Sequence, residues 1–505
     1  MRQLIKGDKQ QRTFLLGLVL VLQIIIYAPQ VGTGLVTDDF TWLDNTVSDG
    51  KVDYLRPFAI TTGFFRPLVN LTFGVQYQLH GLNPRPYGWF NLFLHLINVL
   101  LVYLLLSSLE ISRPYALWAA VLFGMNAKGP TMAVGWISGR TSLLYAFFSL
   151  LALYIYLKIR LKHPGPAGPS WDFKRIFRYF LVGVIYLAAL LSKESAAAVP
   201  ILVFMVSYFV QKRKEKPSFF KSLQRAFLST LVFLVPLVLY LILRLNSNAM
   251  TPFNAPGYYR YTLDLLLVLK NLWEYLTRAG ILDLVTMAWL GLVILFTLKK
   301  LKPAEGFDRW ILLLGAGWFL VFLLPVILIP ARSDIYVYLA QVGLHLAVLP
   351  VIGYSWKRMG LPSRRGIRQA SILLPVGIFM LAYIGQMAVI AAAYGQSGRH
   401  SMAFTQQVMQ NTSNVDSGKH IYIIDMEARQ KYSPSHTVSY GFPSLLRLYF
   451  PQKGWTGEII LPSGTANIKD DDKAVIFTWR NRGSGTASLR RWSAATPKKG
   501  PEGLS

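Results

Sequence analysis

The chain has 505 residues, no cysteine, 53% hydrophobic residues and a formal net charge of +28. Without cysteine it has neither a disulfide framework nor thiolate metal sites. Much of the basic charge sits in short loops between long apolar runs, the pattern of the positive-inside bias, which argues against nucleic acid as a partner.

A helix that crosses a bilayer needs roughly 20 mostly apolar residues, and backbone polar groups find no water there. About eleven runs fit this description. They lie at 14–31, 87–108, 115–132, 138–158, 177–192, 195–210, 226–245, 281–298, 310–330, 335–353 and 370–394. The first follows Arg2, Lys6, Lys9 and Arg12. The stretch Tyr27-Ala28-Pro29-Gln30 is a poor cleavage site, so this run reads as an uncleaved span. With the N-terminus in the cytoplasm, the clusters Lys158–Arg175, Lys212–Lys216, Lys299–Lys302 and Lys357–Arg368 all fall on the cytoplasmic side. An odd number of spans then places the C-terminus outside.

The outer side receives a long first loop (32–86), a second loop (246–280) and a polar tail (396–505). A connector that long usually has a job. Short amphipathic helices are predicted near Asp39–Val47 and Pro67–His80. In the second, Leu68, Leu71, Val75 and Leu79 recur at helical spacing, as in a helix lying on a membrane surface. In the tail, Ser401–Asn411 is helix-like, and His420–Asp425 and Ala474–Trp479 have strand character. The chain thus divides into a transmembrane domain (1–395), a small extracytoplasmic α/β domain (396–495) and a disordered tail (496–505). It has no internal repeat and no tetratricopeptide pattern.

The sharpest local feature is Thr37-Asp38-Asp39-Phe40, two adjacent carboxylates just beyond the first span. A carboxylate there can take a proton from an attacking hydroxyl; the plainer reading is a solvated loop. Arg66 in the first loop, Arg140 at the outer start of the fourth span, Lys193-Glu194 between the fifth and sixth, and Arg332 with Asp334 between the ninth and tenth lie near the same face. Charges at that depth are costly and often functional, and arginines can hold a phosphate bidentately; the competing reading is structural ion pairing. His95 shares a helix face with Asn91 and Asn98, a pattern that favours interhelical hydrogen bonding over ligand binding. No metal-ligand pattern, Walker motif, glycine-rich nucleotide loop or nucleophile elbow is present.

Taken together, Asp38-Asp39, Phe65-Arg66-Pro67-Leu68, Gly81-Leu82-Asn83-Pro84, Trp89 to Asn98, Trp136-Ile137-Ser138-Gly139-Arg140 and Leu191-Ser192-Lys193-Glu194-Ser195 resemble the GT-C membrane glycosyltransferases. The closest resemblance is to the protein O-mannosyltransferase-like group, including the membrane part of the tetratricopeptide-repeat O-mannosyltransferases and their bacterial relatives. It covers about the first 210 residues well and the later spans loosely. The family's His-Pro segment ahead of Trp136, usually followed by a Glu, is here Asn126 to Met132, without that His or Glu. Those departures leave the sugar and the acceptor open.

The resemblance implies an all-α polytopic GT-C-like fold with an extracytoplasmic α/β domain, placed in a membrane such as the bacterial inner membrane. It implies transfer of a sugar from a polyprenyl-phosphate-linked donor to a protein or glycan hydroxyl at the outer face, with inversion. Asp38 would be the general base, with Asp39 aiding orientation. Arg140, and Arg332 or Lys193, would stabilise the departing lipid phosphate; Arg66, Glu194 and His95 complete the expected substrate-binding set. The reaction requires no nucleotide or other cofactor; dependence on a divalent metal is left open. Two rivals stand beside this reading: an aminopentose-type transferase acting on a lipid or glycan, and a transporter or flippase of lipid-linked glycans. Transporters tend to carry inverted repeats with polar midplane sites, whereas here polar residues gather at one face.

Overall fold

A computed structural model describes residues 9–59, 63–109, 111–162, 173–214, 218–247, 249, 255–280, 308–358, 365–467, 474–481 and 487–491. The membrane part begins with α1 (Lys9–Tyr27). The first outer loop follows, with α2 (Asp38–Asp44), a two-strand ribbon of β1 (Val47–Ser48) and β2 (Lys51–Val52), α3 (Arg56–Ala59) and α4 (Pro67–His80). Then come α5 (Pro84–Ser108), α6 (Arg113–Met125), α7 (Gly129–Gly135), α8 (Arg140–Lys162), α9 (Phe173–Leu190), α10 (Val199–Lys214) and α11 (Phe219–Leu245). The set closes with α12 (Leu265–Arg278), α13 (Arg309–Ile327), α14 (Ala340–Arg358) and α15 (Arg365–Thr412).

Among the described residues, six helices are long and apolar enough to cross a membrane: Gln10–Tyr27, Pro84–Ser108, Ile137–Arg160, Glu194–Arg213, Phe219–Leu245 and Arg309–Ile327. The expected span at 281–298 and the tail at 496–505 lie outside the described residues. The expected span at 115–132 is interrupted. Its helix stops at Met125, and the Asn126 side chain accepts hydrogen bonds from the Lys128 and Gly129 amides at 2.8 and 3.2 Å, starting the separate α7. Within the segment that departs from the family pattern, Asn126 thus serves as a local backbone cap.

Both helices expected in the first loop are present. On α4 the protein-facing side is Val69, Asn70 and Phe73, all buried, while the predicted apolar stripe faces outward only at its far half: Val75 is 46% and Leu79 68% exposed, and Leu68 and Leu71 are half-buried. That orientation leaves the stripe free for a lipid surface. Helix α12 has the same character, with Asp264 capping the Leu266 and Leu267 amides and Leu265, Leu266, Leu269 and Trp273 exposed.

Helix α15 has 48 residues. At 1.5 Å per residue it is about 72 Å long, more than twice the hydrocarbon thickness, so it must project well out of a bilayer. It runs without a break through 395–396, where the sequence suggests a division, and Ser401–Asn411 is its outer end. Beyond it stand β3 (His420–Asp425), α16 (Pro434–Thr437), α17 (Phe442–Tyr449), β4 (Thr456–Ile460), β5 (Ala474–Asn481) and β6 (Ala487–Arg491). The sheet order is β4-β3-β5-β6; β3 runs parallel to β4 and β5, and β6 is antiparallel to β5. Phe404 of α15 packs edge-on against Trp479 of β5, with ring centroids 5.2 Å apart, and lies 6.1 Å from Phe442 of α17. The small α/β unit is thus cored on the helix that carries it.

Candidate active site

The first loop enters α2 through Thr37, whose φ of 41° and ψ of −113° are unusual for a β-branched residue. Such a conformation costs on the order of 1–3 kcal/mol and persists only where the surroundings impose it. The turn separates the two carboxylates. Asp39 is fully buried. Its Oδ1 accepts from the Ser138 amide at 2.7 Å and from the Ser138 hydroxyl, and its Oδ2 accepts from the Val36 amide at 2.9 Å. Both oxygens are committed to holding α2 against the turn that starts α8. Asp38, by contrast, is exposed. Crowding by the surrounding protein raises its pKa, and the Arg66 guanidinium pulls it back down.

Arg66 is the N-cap residue of α4 and is brought to the end of α9 by a backbone bond from the Leu68 amide to the Leu191 carbonyl, 3.2 Å. There it pairs with Glu194 in a bidentate fork, Nε to Oε2 at 2.9 Å and a terminal nitrogen to Oε1 at 2.6 Å. Its guanidinium also lies over the Phe64 ring, 4.1 Å from the centroid. Next to it, the Lys193 ammonium donates to the Ser142 hydroxyl at 2.8 Å and lies 5.3 Å from the Tyr336 ring centroid. Arg66, Arg244 and Lys193 all act electrostatically on Glu194, and Tyr259 senses both Asp38 and Arg66. The structure thus gathers Asp38, Arg66, Lys193 and Glu194 into one cluster, walled by Tyr259 and Tyr336. Two cations and two carboxylates balance in it, and the Arg244 guanidinium adds a further positive charge acting on Glu194. Arg244 and Tyr259 were not singled out in the sequence; Arg244 at the outer end of an apolar span was the available signal.

Other expected site residues are placed elsewhere. Arg140 is fully buried. It donates to the Asn91 side chain at 3.1 Å, the Thr72 hydroxyl at 3.4 Å and the Tyr87 carbonyl at 3.2 Å, and lies 4.3 Å and 4.9 Å from the Phe73 and Phe90 ring centroids. Caged in this way, it joins α4, α5 and α8, and its contacts are those of the structural reading rather than of an open phosphate site. His95 is sealed in the helix core, its Nδ1 2.8 Å from the Tyr338 hydroxyl, which also accepts from Asn98 at 3.1 Å. The interhelical bonding expected from the spacing of Asn91, His95 and Asn98 is what forms, and His95 does not join the cluster. Arg332 belongs to a second charged group on α12: it donates to Asn271 at 2.6 Å, while Arg278 bridges Glu274 at 3.0 Å and Asp334 at 2.5 Å. The Tyr275 and Tyr336 rings, 6.3 Å apart, stand between the two groups. Among the described residues no group of three or more His, Asp or Glu is placed to hold a metal ion.

No protein-family model matches the chain. A protein O-mannosyl-transferase of Caenorhabditis elegans is 32% identical over 170 residues, which cover 31% of this chain and 24% of that protein. The protein O-mannosyl-transferase Tmtc1 of Drosophila melanogaster is 29% identical over 190 residues, covering 35% of this chain and 20% of the fly protein. The chain therefore spans about a quarter or less of the length of the curated relatives it matches. Among solved structures, the apo oligosaccharyltransferase of Archaeoglobus fulgidus superposes with a TM-score of 0.48 at 13% identity, over 84% of this chain and 63% of that one. A protein O-mannosyltransferase complex of S. cerevisiae bound to its sugar donor gives 0.34 at 17% identity, over 47% of this chain and 33% of that one. The resemblance to protein O-mannosyltransferases noted in the sequence is borne out by the curated matches, and both of these are animal proteins.

Proposed function

We propose that the chain is a GT-C-type membrane glycosyltransferase that moves a sugar from a polyprenyl-phosphate-linked donor to an acceptor hydroxyl at the outer membrane face. The observation that carries this reading is the asymmetry of the acidic pair: Asp39 is saturated by hydrogen bonds, while Asp38 stands exposed and under the influence of Arg66. Asp38 takes the proton as the acceptor oxygen attacks the anomeric carbon, and the bond from that carbon to the phosphate oxygen breaks. The leaving polyprenyl phosphate keeps the bonding electrons, and Arg66 and Lys193 stabilise its negative charge. Preorganised charges of this kind are usually a large part of catalysis. A single displacement inverts the anomeric centre.

Glu194 holds Arg66 in its fork until the phosphate arrives and sets its orientation. The names of the curated relatives support a mannosyl donor and a protein hydroxyl as acceptor. An odd set of about eleven spans with the N-terminus in the cytoplasm brings Asp38, Arg66, Lys193 and the α/β domain to the same outer side.

The deciding experiment is transfer of mannose from dolichyl phosphate mannose to a serine- and threonine-rich peptide by purified protein. Asp38→Asn is expected to abolish transfer with insertion and melting temperature unchanged. Full activity in that variant would overturn Asp38 as the base.

A further inference from the structure

The segment that delivers Asp38 is fastened along its length to α15 and the outer domain. The Thr33 hydroxyl donates to the Gly395 carbonyl at 2.9 Å, and the Ser401 hydroxyl to the Leu35 carbonyl at 2.5 Å. Gly34 and Gly398 pass so closely that a Cβ on Gly398 would lie 2.8 Å from the Gly34 nitrogen. The amide of strained Thr37 donates to the Thr437 carbonyl, 2.9 Å. A Cβ on Gly441 would collide with the Thr37 carbonyl and come within 3.0 Å of Phe40. At the far end of α2, Asp44 accepts from the Ser444 hydroxyl at 3.0 Å and from Arg447, through Nε at 3.0 Å and a terminal nitrogen at 2.6 Å.

We propose that the C-terminal α/β domain is a positioning element for the catalytic carboxylate: through Thr437, Gly441 and Arg447 it imposes the Thr37 turn and the pitch of α2, and so aims Asp38. This rests on the reading of Asp38 as the base. The physical case is that Thr37 does not adopt its conformation by preference, and the atoms that compel it belong largely to this domain. Asp44 is 8% exposed and the Arg447 side chain is half exposed, so the fork is a charge-assisted, two-pronged tie at the edge of the domain contact. On the membrane side, Asp39 bonded to Ser138 supplies the opposing anchor. With both anchors present, α2 has one orientation, in which Asp39 is buried and Asp38 exposed.

The test uses full-length protein. Arg447→Ala and Gly441→Val are expected to lower kcat for transfer from dolichyl phosphate mannose by about 10- to 100-fold, the effect of a displacement of about 1 Å, with binding of dolichyl phosphate changed less than about twofold. The exchange Asp44→Arg with Arg447→Asp should restore at least a tenth of wild-type kcat. Hydrogen exchange at amides 35–44 should accelerate in Arg447→Ala and recover in the exchange variant. If Asp38→Asn is inactive yet Arg447→Ala and Gly441→Val stay within about twofold of wild type, the positioning role is overturned while the base stands. If Asp38→Asn is active, the base is overturned, and the exchange of amides 35–44 alone scores the coupling. Unchanged exchange there in Arg447→Ala refutes it.

Discussion

Replacement of Asp39 by Asn separates the two carboxylates by their response to pH. Burial pushes the Asp39 pKa up from 3.8 to about 7; the bonds from Ser138 and Val36 oppose that rise, and the neighbouring charge of Asp38 adds to it. The unfolded chain releases this proton near pH 4 and the folded chain near pH 7. Between those values the folded state binds a proton that the unfolded state has lost, so stability declines as pH rises through the window and levels off above it. The rise from 3.8 to about 7 amounts to about 4 kcal/mol across the window. Asn removes the titration. It also turns an NH2 group toward an amide that donated to the carboxylate, and one unpaired buried donor costs about 1–3 kcal/mol. Asp39→Asn should therefore melt below wild type at about pH 4, and the gap should close or invert by about pH 8. The assay is the apparent melting temperature of detergent-solubilised protein, followed by intrinsic tryptophan fluorescence. A gap that is constant across this range, or widest at high pH, refutes a buried carboxylate with a raised pKa.

Arg140→Lys should lower the melting temperature, because an ammonium cannot span the Asn91, Thr72 and Tyr87 acceptors, while affinity for dolichyl phosphate by microscale thermophoresis stays unchanged. Weakened lipid-phosphate binding at an unaltered melting temperature would return Arg140 to the phosphate site. Glu194→Leu should destabilise the protein by about 3 kcal/mol, the low end for a buried pair, since its side chain is 33% exposed. Arg66→Met in that background should recover part of the loss; no recovery in thermal unfolding would mean that no uncompensated charge was left behind. For topology, the native chain has no cysteine. Ser48→Cys should react with a membrane-impermeant maleimide in intact cells, and Lys221→Cys only after permeabilisation. Labelling of both under the same condition would overturn the arrangement.

What could be read from the sequence depended on how local its cause was. Apolar runs report membrane-spanning helices locally, because bilayer thickness acts on each segment separately, and six such helices stand among the described residues. The helices of the first loop were legible for the same reason, down to the outward stripe of Val75 and Leu79. Arg66 and Glu194 were each visible as costly charges, yet their pairing spans 128 positions and depends on how α4 docks against α9. The surroundings of Arg140 were hidden by the same gap. A lone arginine near the outer face looks alike whether it awaits a phosphate or is caged, and the cage of Phe73 and Phe90 is assembled from two other helices.

The acidic pair shows where local reading ends. Successive residues on a helix point about 100° apart, so two adjacent carboxylates at a helix start cannot share one environment. One turns inward and the other stays exposed. Which is which depends on the rotation of α2 about its own axis. The buried Phe40 and Leu43 fix part of that rotation from within the helix. The rest is set by partners nearly a hundred and about four hundred positions away: Ser138 on one side, Thr437 and Arg447 on the other. A chain with the same Asp-Asp motif but no outer domain to hold Thr37 in its turn would therefore have to choose its base by other means.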